Sequence, residues 1–448
     1  MDDRTTQLEY GNIGKLLLTF ALPAIIATTA TSLYNVIDRM FIGNGIGALA
    51  LAGLGLTLPI MNLATAFGTL VGAGSGALVS IRIGEKRRAD ATRILCNTLL
   101  LNIIISLSFT ILVLAFLDPI LILFGADNET LPYAREFLEI ILLGNIFTHI
   151  LFGLNSIMRA SGYPIKAMLS ILITVVCNVI IAPIFIFVLY WGIRGAALAT
   201  VISQFIGMCW VLAHFFRQKS YIHFEKSAMR IDGRLTLDVF AIGLSPFFIH
   251  VGTCLVTVIM NWRLKEYGGN MAIASYGIIA AIQSLVVTMV LGMTHGMQPI
   301  VGFNYGAGHR DRVLKAYRLT VYAASAVCIL AFAAIELFSV QIASVFTNDT
   351  AMIYSTAQAM RMCCFMMFIV GFQVVTSNFF QSINKAAISI ILALLRQIIL
   401  LIPFIWLLPL SFGLDGAWWA TPSADLCSVI VTAIVLLFFL RSKEFKLH

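Results

Sequence analysis

Apolar residues fill the chain in long runs from Leu16 to Leu440, interrupted by short polar or Gly/Pro-containing breaks. A helix needs about 20 apolar residues to cross a bilayer. Read at that length, the pattern predicts spans over 15–40, 50–80, 93–116, 135–157, 166–190 and 195–217. A second six follow over 238–262, 272–302, 316–338, 355–380, 386–409 and 416–440. The runs are continuous rather than alternating, which selects helices over a barrel. The first run is too long for the core of a signal peptide and continues through Pro23 toward Asp38, so it reads as the first span. The expected fold class is an all-α polytopic membrane protein with twelve transmembrane helices.

The two sets of six repeat at an offset close to 222 residues. Pro23 matches Pro246, and Gly84 matches Gly306 ahead of a basic loop. Phe124 and Asp127 match Phe346 and Asp349, while Gly195-Ala196 with Thr200 match Gly416-Ala417 with Thr421. An even number of spans per repeat gives both halves one orientation. They are then related by a pseudo-two-fold along the membrane normal, an arrangement that puts substrate sites between lobes. The expected division is an N-terminal lobe over 1–217, a polar, basic linker over 218–236, and a C-terminal lobe over 237–448.

Composition agrees: 60% of the 448 residues are hydrophobic and 11% charged, with mean hydropathy +0.95. Soluble domains carry roughly 25% charged residues. The net charge of +8 comes from cations placed in short loops, which argues for membrane topology and against nucleic acid. Arg82, Lys86, Arg87, Arg88 and Arg93 follow span 2, and Arg159 and Lys166 flank the turn between spans 4 and 5. Arg217, Lys219, Lys226, Arg230 and Arg234 follow span 6. Arg310, Arg312, Lys315 and Arg318 follow span 8, Lys385 follows span 10, and Arg441, Lys443 and Lys446 end the chain. All fall on one side, which the positive-inside rule makes cytoplasmic, together with both termini. The expected location is the cell (inner) membrane. The eight cysteines lie in or beside apolar runs without metal-ligand spacing and read as packing residues.

Several machines are excluded by what they would require. No GxxxxGK[ST] phosphate loop occurs, and the glycine clusters Gly43/Gly45/Gly47 and Gly72/Gly74/Gly76 lie in or beside spans, where small residues let helices pack closely. An intramembrane enzyme would need an HExxH helix, a GxGD pair or a GxSG turn; none is found, so the chain is not expected to be an enzyme. His250 and His295 lack metal-ligand company, and no metal site is expected. A channel filter is absent too, which leaves transport driven by an ion gradient.

The strings LYNVIDRMFIG (Leu33 to Gly43), MRASGYP (Met158 to Pro164), CNVIIAPIFIF (Cys177 to Phe187), GIRGAALAT (Gly192 to Thr200), GMQPIVGFNYGA (Gly296 to Ala307) and GLDGAWWATP (Gly413 to Pro422) extend over nearly the whole chain. Together they resemble the multidrug and toxic compound extrusion (MATE) family, in its prokaryotic branch with the key acid in the first helix. The resemblance implies two lobes around a V-shaped cavity. It also implies export of cationic, amphipathic drugs by antiport against H⁺ or Na⁺, with no cofactor beyond the coupling ion. A monomer in the lipid bilayer is expected. A lipid-linked or metabolite flippase of the same superfamily is the alternative reading, and an intramembrane enzyme a remote one.

Asp38 is the foremost candidate for coupling. A carboxylate inside a span costs roughly 2.5 to 3.5 kcal/mol on insertion scales and usually faces a cavity. Thr31, Tyr34, Asn35 and Asp38 lie at spacings of three and four, one polar stripe on an apolar helix. The competing reading is an outer-loop aspartate paired with Arg39. The family resemblance adds Asn178 and Thr200 from spans 5 and 6, with Asn155 from span 4; interhelical hydrogen bonding is their other reading. Four residues after Asn178, where the family usually has an acid, this chain has Ala182. A lone carboxylate makes a poor Na⁺ cage, so H⁺ is the expected ion. Pro23 and Pro246 are candidate hinges or static kinks. Gln204, Gln283, Gln298, Arg361, Arg396, Gln397 and Asp425 are further intramembrane polar residues without an assigned role. Fifteen residues after Pro246, the counterpart of Asp38 is Asn261.

Overall fold

Every long apolar run is helical in the computed structural model, which describes residues 3–217, 220–347 and 349–442. Lys219, Lys443 and Lys446 of the basic pattern lie outside the described residues. The N-terminal half comprises α1 (Asp3–Tyr10), α2 (Ile13–Gly45), α3 (Ala48–Gly84), α4 (Arg88–Ala115), α5 (Leu117–Leu123), α6 (Leu131–Leu143), α7 (Asn145–Ala160), α8 (Pro164–Pro183) and α9 (Gly192–Phe216). The C-terminal half comprises α10 (Gly233–Gly306), α11 (Arg310–Ser344), α12 (Thr350–Cys363), α13 (Met367–Ser382), α14 (Ala386–Leu394) and α15 (Ile402–Arg441). Among the described residues, eight helices are long and apolar enough to cross a membrane, and the pairs α6/α7 and α12/α13 add two more passes bent by 51° and 50°. Two of the eight are each a pair of helices joined across a kink, α10 at Gly269 and the run ending in α15 at Gly413, which brings the ten to twelve. Both glycines have positive φ, 64° and 57°, a backbone conformation that a side chain would strain.

The fold class is the one expected, two six-helix lobes in a multi-pass membrane protein. Differences are local. Two short helices, α1 and α5, lie outside the predicted spans, and the ends of several spans extend further than read. The single spans read at 135–157 and 355–380 are the two bent pairs, broken at the repeat-related positions Gly144 and Cys364 to Met366. Two π-helical stretches, Ile184–Val188 and Leu395–Leu401, widen helix ends or interiors in spans 5 and 11.

The lobes meet through repeat-related glycines. A Cβ on Gly84 would enter the Phe303 carbonyl, and one on Gly306 the Ile81 carbonyl, three residues before the partner glycine in each case. Gly74 and Gly243, which the repeat does not relate, face the backbones of Val239 and Leu70, four residues before the partner glycine in each case. Backbones can approach this closely only where no side chain intervenes. Phe67 and Phe247 close the seam at its inner end, with ring centroids 5.1 Å apart. Because helices alternate in direction, these contacts run from mid-span to the face carrying the chain ends and the basic loops. On that face Arg312 donates to the side-chain oxygen of Asn304 at 2.8 Å and to the carbonyls of Leu8 and Gly11 at 3.0 and 2.8 Å, tying α1 to the second lobe. On the opposite face the repeated aspartates have a structural reason. Asp127 accepts from the backbone and hydroxyl of Thr130 just before α6, bonds that hold its carboxyl below the usual carboxylate range. Asp349 caps α12 through Ala351 and Met352.

Candidate functional site

Asp38 lies on α2 about 10 Å short of its far end at Gly45, as the rise of seven residues gives. It is 8% exposed, and its Oδ1 is buried with no hydrogen-bond partner. One turn nearer the chain ends, the Tyr34 hydroxyl shares a hydrogen bond with Thr200 Oγ1 of α9 at 3.2 Å. Asn178 of α8 donates its amide to the same hydroxyl at 3.1 Å, and Thr200 can donate to its own helix at Ala196. The hydroxyl thus binds three helices together beside an unsatisfied carboxylate. Desolvating a charge without a compensating partner is expensive, so the position suits reversible binding of a cation.

The remaining sequence candidates lie elsewhere. Asn35 is exposed, since a helix rotates it about 100° from Tyr34 and off the face packed on α8. Thr31 bonds back to the Ala27 carbonyl at 2.9 Å. Asn155 is 2% exposed and donates to the Ala167 carbonyl and Ser170 Oγ, both at 2.7 Å. Ser170 precedes Asn178 by eight residues, roughly 12 Å along α8, so Asn155 stands away from the Tyr34–Thr200–Asn178 set. Ala182 is fully buried in an apolar cluster with Ile42, Leu54, Ile186 and Ala196, which covers Asp38 toward the far face. Pro23 is buried and Pro246 half-buried, and neither helix leaves helical dihedrals at its proline.

The unassigned polar residues sort into pairs. Thr148 donates to Gln204, Gln298 to the Ala73 carbonyl at 3.3 Å across the lobes, and Arg361 to Ser339 Oγ at 2.8 Å. Arg396 Nε donates to Asp425 Oδ1 at 2.7 Å. This pair lines a cavity of about 300 Å³ inside the second lobe, together with Gln283, Gln397 and Thr421. Sequence reasoning left both charges without a role. The available signal was Thr421, the counterpart of Thr200, which places the cavity at the position related by the repeat to the Asp38 site. Among the described residues no group of His, Cys, Asp or Glu is arranged to hold a metal ion.

The family model described as MatE matches residues 23–184 and 247–407. The multidrug export protein MepA of Staphylococcus haemolyticus (strain JCSC1435) is 25% identical over 443 residues, spanning 99% of this chain and 97% of that protein. The crystal structure of MATE in complex with MaL6 superposes with a TM-score of 0.93 at 24% identity, covering all of both chains. The outward-facing conformation of a multidrug resistance MATE family transporter of the MOP superfamily gives 0.92 at 24% identity, again over all of both chains. These structural likenesses establish a shared fold.

Proposed function

The chain belongs to the MatE family, and we propose that it is a secondary active multidrug exporter. It moves cationic, amphipathic small molecules out of the cell in exchange for H⁺, by alternating access between its lobes. The observation that carries this reading is the buried, partnerless Oδ1 of Asp38 beside the Tyr34–Thr200–Asn178 cluster. Binding a monovalent cation there compensates the carboxylate, and releasing it restores the charge, which is what links a gradient to a change of access. The near full-length likeness to an exporter named for multidrug export supports the direction and the cargo.

H⁺ is favoured over Na⁺ by the donor set. Hard cations take several oxygen ligands. Here Thr200 is engaged by Tyr34 and Asn178, and the next turn of α8 offers the buried methyl of Ala182. The flippase alternative would want a conspicuously cationic cavity, and among the described residues Arg396 is the single arginine lining the cavity of the second lobe. In the proposed orientation the basic face is cytoplasmic, so the lobes are sealed on that side in this conformation. The protein acts as a monomer in the cell membrane.

The test is efflux of a fluorescent cationic dye from proteoliposomes under imposed pH and Na⁺ gradients, applied separately. Export under the pH gradient alone is the expected result. Export under Na⁺ alone overturns the choice of ion, and dye retention under both overturns the function.

A further inference from the structure

The second lobe's cavity and its ion pair take no part in the coupling scheme above. Arg396 and Gln397 are consecutive residues that both line it, a placement helped by the wide π-helical turn Leu395–Leu401; such turns recur at functional sites. Asp425 faces Arg396 from the last span. The pair is asymmetric: the Arg396 side chain is 20% exposed and that of Asp425 is 7%. A single bond through Nε engages the aspartate, and the terminal nitrogens of this cavity-lining side chain carry the remaining N–H donors of the guanidinium fork. Of the two charges the arginine is the more accessible to a ligand. The rest of the wall combines amide and hydroxyl groups from Gln283, Gln373 and Thr421 with valine, leucine, isoleucine and methionine side chains. That lining suits a molecule with one acidic head and an apolar body.

We propose that this cavity is a binding site for amphipathic organic anions, with Arg396 holding the carboxylate through its terminal nitrogens while its Nε stays on Asp425. A guanidinium can bridge two carboxylates in this way because its fork presents separate pairs of donors. Gln397 and Thr421 supply further hydrogen bonds to the head. The assignment adds a cargo class to the exporter reading and rests on that reading for its physiological sense. The two lobes then divide the work, with the coupling carboxylate in the first and an anion cradle in the second.

The test is equilibrium dialysis of radiolabelled p-aminohippurate and of its uncharged methyl ester against the purified full-length protein in detergent. The acid is expected to bind saturably, and the ester at least about tenfold more weakly, since it forfeits charge-assisted bonds. Arg396→Gln should remove the preference for the acid. Asp425→Asn should tighten acid binding, because it keeps the side-chain shape and removes the competing charge. Equal binding of acid and ester overturns the site, and so does acid binding that is unchanged in Asp425→Asn. The second variant keeps the proposal exposed should Arg396→Gln fold poorly. Binding in detergent requires no transport, so a protein that binds the acid but exports nothing counts against the exporter reading and leaves the cavity assignment standing.

Discussion

Asp38 and Asn155 are both nearly fully buried inside spans, yet they differ in whether their polar atoms are satisfied. Asn155 spends its amide on Ala167 and Ser170, tying α7 to the first two turns of α8, whereas Asp38 keeps a buried oxygen without a partner. Asn155→Ala is accordingly expected to destabilise the protein by about 1 to 3 kcal/mol, the usual result of leaving buried partners unpaired. Its gradient-driven efflux per folded molecule should be preserved. Asp38→Asn should do the reverse: the folded protein accumulates in the membrane with an unchanged or higher melting temperature, and dye efflux under a pH gradient falls to background. Efflux and melting temperature measured on both variants decide the matter, and wild-type transport by Asp38→Asn removes Asp38 from the coupling role. The contrast was only half legible in the chain. Asp38, Tyr34, Asn178 and Thr200 stand out because polar side chains are rare in apolar spans and carry a family pattern. Which bond a buried amide makes depends on how neighbouring helices are rotated, and for Asn155 that information lies in the packing of α8.

Among the elements, legibility followed the strength of the apolar signal. Span number, the repeat and the kinks at Gly269 and Gly413 follow from long runs and breaks between them. The bends within α6/α7 and α12/α13 do not, since hydropathy continues across Gly144 and across Cys364 to Met366. The π-helical stretches have no sequence period of their own and were invisible as well. The repeated Gly84 and Gly306 could be matched by register, but their purpose is tertiary: each admits the other lobe's backbone. Backbone atoms cannot rotate aside as a side chain does, so Gly84→Leu is expected to force the lobes apart on the basic face. The substitution Ser80→Cys, at a fully buried position beside Gly302, reports on this in a cysteine-free background. The introduced thiol should be protected from maleimide while Gly84 is present and react readily once Gly84→Leu is added. Continued protection shows that the seam absorbs the side chain without opening.

At the scale of the whole molecule, a duplicated frame holds two different interiors. The seam is nearly symmetric, with Gly84 on Phe303 and Gly306 on Ile81. The lobe interiors are not. Where the first lobe has Asp38 beside Tyr34, counting along the repeat reaches Asn261, half-buried, and Thr257 one turn earlier. The second lobe's buried acid is instead Asp425, four residues after the counterpart of Thr200 and already bonded to Arg396. An asparagine can hydrogen-bond but has no proton to exchange at physiological pH. A carboxylate held by a guanidinium is compensated in place, so it lacks the uncompensated charge on which the proposed role of Asp38 rests. Coupling is therefore expected from the first lobe alone. Asn261→Ala should retain most pH-gradient-driven dye efflux. The decisive variant is the exchange Asp38→Asn with Asn261→Asp, which moves the carboxylate to the repeat-related position while conserving composition. It should remain uncoupled, because the transplanted acid has Thr257 at its side in place of Tyr34. Restored efflux in the exchange variant, measured in the same proteoliposomes, would show that the two lobes are interchangeable and that the asymmetry of their interiors carries no function.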